Sequence, residues 1–258
     1  MESTINNICK GKATVIGDRH YWETKAYVEP FVERLSKFTS DFKVQAVTPN
    51  QMTLTKSGEM DMDDITYNRV WIQGILPDDL QIENHKEVIG MVYGLDVSRP
   101  VVKIYRGGLN MACTNLCVFS PSEIAVQDIE PAKAFDYSSV TRLIEQTFEL
   151  ANWLRGLQTQ FIDRNVESMQ KNLGLWMHNS ITQSTKSLHQ SYKIAPSTVL
   201  DAYKNLFFKE DSDYYVPEDQ DASLFRVYNA FTDQITNKDK DILSKVDKTL
   251  LVRDILHI

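Results

Sequence analysis

The chain is predicted to be α+β: an antiparallel strand meander packed on a long helix, with a mostly helical C-terminal part. Three observations predict it. Segments rich in β-branched and aromatic residues crowd the middle of the chain, from about residue 42 to residue 119. From Tyr137 the apolar spacing changes to that of a helix, and beyond Asn165 helical spacing dominates. Strands grouped in one stretch and helices in another favour segregated layers over alternating βαβ units. The expected organisation is a 1–164 α+β core and a 165–258 helical region that packs on it or extends from it.

Residues 24–40 carry Val28, Phe31, Val32, Leu35 and Phe38 at helical spacing with charges between them, which predicts a short amphipathic helix. One or two strands follow, then an acidic loop at 59–64. "RVWIQGILPDDL" alternates Val70, Ile72 and Ile75 with Arg69, Trp71 and Gln73, a strand expected to stop at Pro77. "KEVIGMVYGLDV" and "RPVVKIYRGG" predict two more strands. "GGLNMACTNLCVF" reads as another, with Leu109, Met111, Cys113, Cys117 and Phe119 on one face and Asn115 among them. Gly107 and Gly108 are expected to form a hairpin turn or bulge. The long helix runs from Ser138 or Ser139, its expected N-cap, through Leu143, Leu154 and Leu157 to Phe161. Further helices are expected over 165–184, over 196–208, opening with Pro196 and a Ser/Thr cap, and at the C-terminus, with an acidic connector at 209–223.

Composition narrows the function classes. An apolar fraction of 42% with 10% aromatics is enough for a sizeable core. A net charge of −7 argues against broad, sequence-independent attraction to nucleic acid, while leaving room for a local basic groove. Three cysteines, Cys9, Cys113 and Cys117, make no disulfide framework and suit a reducing compartment. No basic start leads into an apolar run, and no stretch reaches the ~20 apolar residues of a membrane span. A cytoplasmic location and no membrane partner are therefore expected.

Chemistry-bearing patterns are sparse. Cys113 and Cys117 could begin a zinc site, but the five histidines, His20, His85, His178, His189 and His257, are scattered without ligand spacing. Core packing is the better reading for both cysteines. There is no phosphate loop, no G-x-G-x-x-G before a helix and no G-x-S-x-G elbow. No cofactor, metal or catalytic residue is expected. Basic and aromatic residues do mix in the strands. Arg69 alternates with Trp71 onto one face, and Lys103 with Tyr105, with Arg106 beside them. Such a face can stack bases and neutralise phosphates of a single strand; the plainer alternative is cross-strand packing.

Three stretches, "RVWIQGILPDDLQI", "GLNMACTNLCVF" and "SLFRVYNAFTDQI", resemble the phage/plasmid-like protein family, a domain of unknown function carried by mobile elements. The resemblance rests on Leu76-Pro77, on Cys113-Thr114-Asn115, and on Leu224 and Phe225 through Tyr228, Asn229, Ala230, Thr232 and Asp233. Many family members carry Asn-Ser-His-Asp-Gly before the cysteine strand, where this chain has "IYRGGLN" and is shorter. The resemblance implies mobile-element biology, supplies no catalytic residue, and makes Asn115 a scaffold residue, its amide tying the strand to a neighbouring backbone or allowing a left-handed residue at a bulge. The element order is also similar to that of single-strand annealing proteins. The resulting expectation is a non-enzymatic phage or mobile-element accessory protein that binds single-stranded nucleic acid in recombination or replication, as a homo-oligomer, through Arg69, Trp71, Lys103, Tyr105 and Arg106. The alternative is an acidic inhibitor that binds a host defence or transcription protein through the acidic stretches 59–64 and 210–221.

Overall fold

A computed structural model describes residues 15–16, 19–20, 24–47, 69–79, 84–94, 101–111, 115–118, 124–128, 137–145, 150–187, 190–238 and 244–258. The expectations for the acidic loop at 59–64 and for Cys9 and Cys113 lie outside these residues. The fold is α+β, as expected. The chain divides into two compact units: residues 1–78, 87–106 and 122–146 form the first, and 79–86, 107–121 and 147–258 the second. The expected division at 164/165 therefore falls inside the second unit.

The first unit opens with a short antiparallel pair, β1 (Val15–Ile16) and β2 (Arg19–His20), followed by α1 (Thr24–Leu35). Its sheet has the order β3-β4-β5-β6-β8, formed by β3 (Phe42–Val47), β4 (Arg69–Asp79), β5 (His85–Gly94), β6 (Val101–Asn110) and β8 (Ile124–Asp128). From β3 to β6, neighbours in sequence are neighbours in space, the meander that the strand spacing predicts; β8 then pairs with β6 out of sequence order. Strand β4 passes through Pro77 instead of stopping there. The register explains why: β3 covers β4 only from Arg69 to Gly74, so Pro77 stands beyond the reach of β3's hydrogen-bonding edge.

Helix α1 buries Tyr27, Val28, Phe31 and Leu35 against the sheet residues Val70, Ile72, Ile89, Met91, Val102 and Ile104. Leu143 of α2 (Ser138–Glu145) joins the same core. Thus the start of the expected long helix does pack in the sheet's core. Its continuation does not: the next described helix, α3 (Leu150–Gln158), sends Leu154 and Leu157 into the core of the second unit. Phe161, expected on the buried side, follows the end of α3 in the short strand β9 (Phe161–Ile162) and is 62% exposed.

In the second unit, β9 pairs with β12 (Ala222–Ser223), and β10 (Thr185–Ser187) with β11 (Gln190–Tyr192). The segment "GGLNMACTNLCVF" is not one strand. Its first four residues end β6, and β7 (Leu116–Cys117) turns back to pair with them, Gly108 opposite Cys117 and Leu109 opposite Leu116. Gly107 and Gly108 therefore lie within β6, not at a turn. A Cβ at Gly107 would sit 2.7 Å from the Cys117 carbonyl oxygen, so the glycine permits a close approach of two backbones.

Helices α4 (Val166–Thr182), α5 (Pro196–Phe207), α6 (Leu224–Asp233) and α7 (Lys245–Leu256) build the remaining core. Asn165 caps α4 by accepting from the Ser168 N–H. Helix α5 starts at Pro196 after Ala195 without a side-chain cap, so the fixed φ of proline, not a Ser/Thr cap, starts it. The core centres on Trp176, whose ring stands edge-on to Phe231 at 5.4 Å and to Tyr203 at 6.4 Å. Helix α6 passes directly into a π-helical turn, Gln234–Lys238.

Candidate functional site

Four of the five proposed nucleic-acid-binding residues, Trp71, Lys103, Tyr105 and Arg106, are interior residues of the first unit. Trp71 is 7% exposed, Lys103 1%, Tyr105 0% and Arg106 9%. For Arg69 only the backbone, paired with Val47, is described. These side chains are committed to one another and to the sheet. The Trp71 indole N–H donates to the Tyr105 hydroxyl, which donates 2.7 Å to Gln73 Oε1. Trp71 and Gln73 share one face of β4, and Tyr105 must cross β5 to reach them. It can because Gly90 lies in its path: any Cβ there would overlap the Tyr105 ring. Cross-strand packing, the plainer alternative in the sequence, describes the arrangement of Trp71 and Tyr105.

Arg106 makes a buried ion pair with Glu87 through Nε, and its Nη1 donates 3.2 Å to the Leu143 carbonyl. Glu87, the partner of Arg106, is not among the residues the sequence points to. The available signal was a lone carboxylate in the otherwise apolar run "EVIGMVYG", because a buried charge requires a partner.

In the second unit the polar interior is organised around Asn115, which is fully buried. Its Nδ2 donates to the Tyr214 hydroxyl at 3.0 Å and to the Asn229 carbonyl at 2.9 Å. Its Oδ1 accepts from Asn237 Nδ2 at 3.0 Å, and Asn237 also donates to Asp233. The amide therefore ties the β6–β7 hairpin to α6, to the π turn and to the segment before β12. Two of the three motifs behind the family resemblance meet here, since Asn115 belongs to one and Asn229 to the other. Scaffold is the role this geometry supports. Asn115→Ala should lower stability by about 2 kcal/mol, because buried partners lose a hydrogen bond each but several keep a second one. Urea unfolding of the variant checks this.

Cys117 is a buried thiol, outside any disulfide, within the core that also holds Tyr228. Among the described residues, no group of three or more His, Cys, Asp or Glu side chains is placed to hold a metal ion. No described helix is long and apolar enough to cross a membrane.

Burial sets the ionisation of the interior phenols. Desolvation pushes the Tyr105 hydroxyl well above the ordinary tyrosine value, with the Trp71 hydrogen bond acting the other way. Tyr228 is raised for the same first reason, and Cys117 adds to the shift while Arg253 opposes it. The folded chain therefore holds these protons where an unfolded chain releases them, near pH 10. Stability contributed this way is complete below pH about 10 and declines as pH rises beyond it. Denaturant midpoints should fall steadily above that pH, and the tyrosinate absorbance of Tyr105 and Tyr228 should develop only as the protein unfolds.

The exposed chemistry lies elsewhere. Residues 209–221, expected as a simple connector, form a folded acidic segment in which Glu210, Asp211, Asp213, Glu218, Asp219 and Asp221 are exposed while Tyr214 and Val216 are buried. The Val216 N–H donates 2.8 Å to the Leu206 carbonyl, and turns close at Tyr215 and Gln220. A segment with two buried anchors holds its carboxylates in a defined arrangement. The alternation of Asp/Glu with Tyr-Tyr-Val was the sequence signal for those anchors.

Comparison of the chain with protein-family profiles, curated proteins and solved structures finds no match. The resemblance to the phage/plasmid-like family thus rests on its three short motifs.

Proposed function

We propose that this chain is a non-enzymatic accessory protein of a phage or other mobile element that acts by binding a basic surface of a host protein. The observation that carries this reading is the contrast between its two kinds of charge. The described cationic candidates, Lys103 and Arg106, are buried, whereas six carboxylates of residues 209–221 are exposed on a folded support. The net charge of −7 adds a long-range attraction for a cationic partner. The mobile-element setting is drawn from the three-motif resemblance.

Binding of single-stranded nucleic acid through Trp71, Lys103, Tyr105 and Arg106 would require these side chains to leave the interior and their partners. The test compares the wild-type chain with a variant in which Asp211, Asp213 and Asp219 are replaced by asparagine. Immobilised wild-type protein should retain a salt-eluted basic protein from host lysate, and the neutralised variant should not. Equal retention by both, or retention by neither, overturns the proposal. Fluorescence anisotropy with single-stranded DNA at low salt is the second arm; salt-sensitive binding there would favour the nucleic-acid reading instead.

A further inference from the structure

Where α6 ends, the chain widens into the π turn Gln234–Lys238. A π turn is rare, and the intrinsic preference of a helix is to continue in α form. Contacts from elsewhere in the fold must therefore hold it. Asn237, within the turn, donates 3.0 Å from Nδ2 to Asn115 Oδ1 and 2.9 Å to Asp233 Oδ1. The Thr236 carbonyl accepts at 2.7 Å from Nζ of Lys245, a buried lysine at the start of α7. The Thr236 hydroxyl donates 2.8 Å to the Thr232 carbonyl, a back-bond of the kind that bends helices.

The same contacts run on to the acidic segment. Asn115 accepts from the turn at Oδ1, and its Nδ2 donates 3.0 Å to the hydroxyl of Tyr214, a buried anchor of residues 209–221. The second Nδ2 proton goes to the Asn229 carbonyl of α6 at 2.9 Å. Both ends of the amide are committed, so Asn115 cannot turn toward one neighbour without releasing another. One unbroken line of hydrogen bonds thus joins the acidic segment, the π turn and α7, all within the second unit.

We propose that the π turn is a register switch, held in its π form by Asn115 and Lys245, that couples the acidic segment to α7. In the alternative α form the tighter turn rotates Asn237 away from Asn115 and draws the Thr236 carbonyl back toward the helical ladder, away from Lys245. Packed interiors pass between discrete arrangements, so a small change at one end of such a line is felt at the other. The coupling is reciprocal: whatever tightens the acidic segment on Tyr214 favours the π form, and the π form holds Tyr214 in place. The inference goes beyond the protein-binding reading and stands if that reading fails. If both hold, a partner on the acidic segment also clamps α7.

Hydrogen exchange of the full chain, read by mass spectrometry on fragments covering 209–221, 232–238 and 244–249, tests this together with a crystal structure of one variant. Asn237 is exposed, so Asn237→Ala should stay folded, which circular dichroism checks. It should speed exchange in 209–221 and 244–249 roughly fivefold, the effect of one lost hydrogen bond, and its crystal structure should show 234–238 in the α register. Tyr214→Phe keeps the ring and removes the hydroxyl; it should speed exchange in 232–238 by a similar factor. It also carries the test should the alanine variant unfold. Asn179→Ala is the control, because it removes a buried amide of the same unit that donates 2.9 Å to the Ile255 carbonyl and stands outside the line. It should leave 209–221 at the wild-type rate. A π turn retained in Asn237→Ala overturns the switch, and so does unchanged exchange at the far end in both Asn237→Ala and Tyr214→Phe. Equal acceleration of 209–221 by Asn179→Ala would mean general loosening of the unit, and that too overturns it.

Discussion

Arg106→Met should destabilise the protein by about 3–5 kcal/mol, the usual consequence of stranding one member of a buried ion pair. Methionine approximates the length of the arginine stem, so the loss comes chiefly from charge. Glu87 would remain in the interior without its Nε partner, and the Leu143 carbonyl would lose its donor. Both side chains of the pair are about one-tenth exposed, so water cannot replace the guanidinium cheaply. The double variant Arg106→Met with Glu87→Leu separates this cause from simple packing loss. Removing both charges together should recover most of the stability, because well-packed apolar replacements of a buried pair are often neutral or better. Urea unfolding of the wild type, the single variant and the double variant measures this. A single variant that loses less than ~1 kcal/mol would mean that the pair is hydrated in solution.

Trp176→Ala should cost about 3–5 kcal/mol, the range for removing a large aromatic side chain from a packed interior. Trp176 is 2% exposed and meets Phe231 of α6 and Tyr203 of α5 edge-on, so its removal opens a cavity between three helices. Trp176→Phe should cost less, since most of the apolar volume and one aromatic edge remain. Chemical denaturation checks both. A loss under ~1 kcal/mol for the alanine variant would mean that the surrounding helices close over the site.

These two positions also mark what could and could not be read in advance. A helix over 165–184 is expected from its spacing, and Trp176 is an apolar side chain on it with a covered stripe to join. Arg106 was different. On a strand, alternation assigns a residue to a face but does not say whether that face is covered. Trp71, Lys103 and Tyr105 satisfied the pattern of a nucleic-acid platform equally well until the sheet's other neighbours were known. The crossing of β5 by Tyr105 depended on Gly90, a residue whose meaning appears only when three strands lie side by side. Likewise, Asn115 could be recognised as a polar residue that needs partners, but those partners are 99, 114 and 122 residues away.

The sequence by itself determined the α+β class, the meander order of the central strands, the amphipathic helices and the need to satisfy Asn115, because all of these follow from local spacing and from the cost of burying polar groups. Tertiary structure alone decided which charges are inside and which are outside. It gave Arg106 its Glu87, returned the cysteine strand on itself as a hairpin, divided the expected long helix between two cores, and folded an acidic connector around Tyr214. The physical reason is that burial is a property of surfaces brought together from distant parts of the chain, and no local period records it.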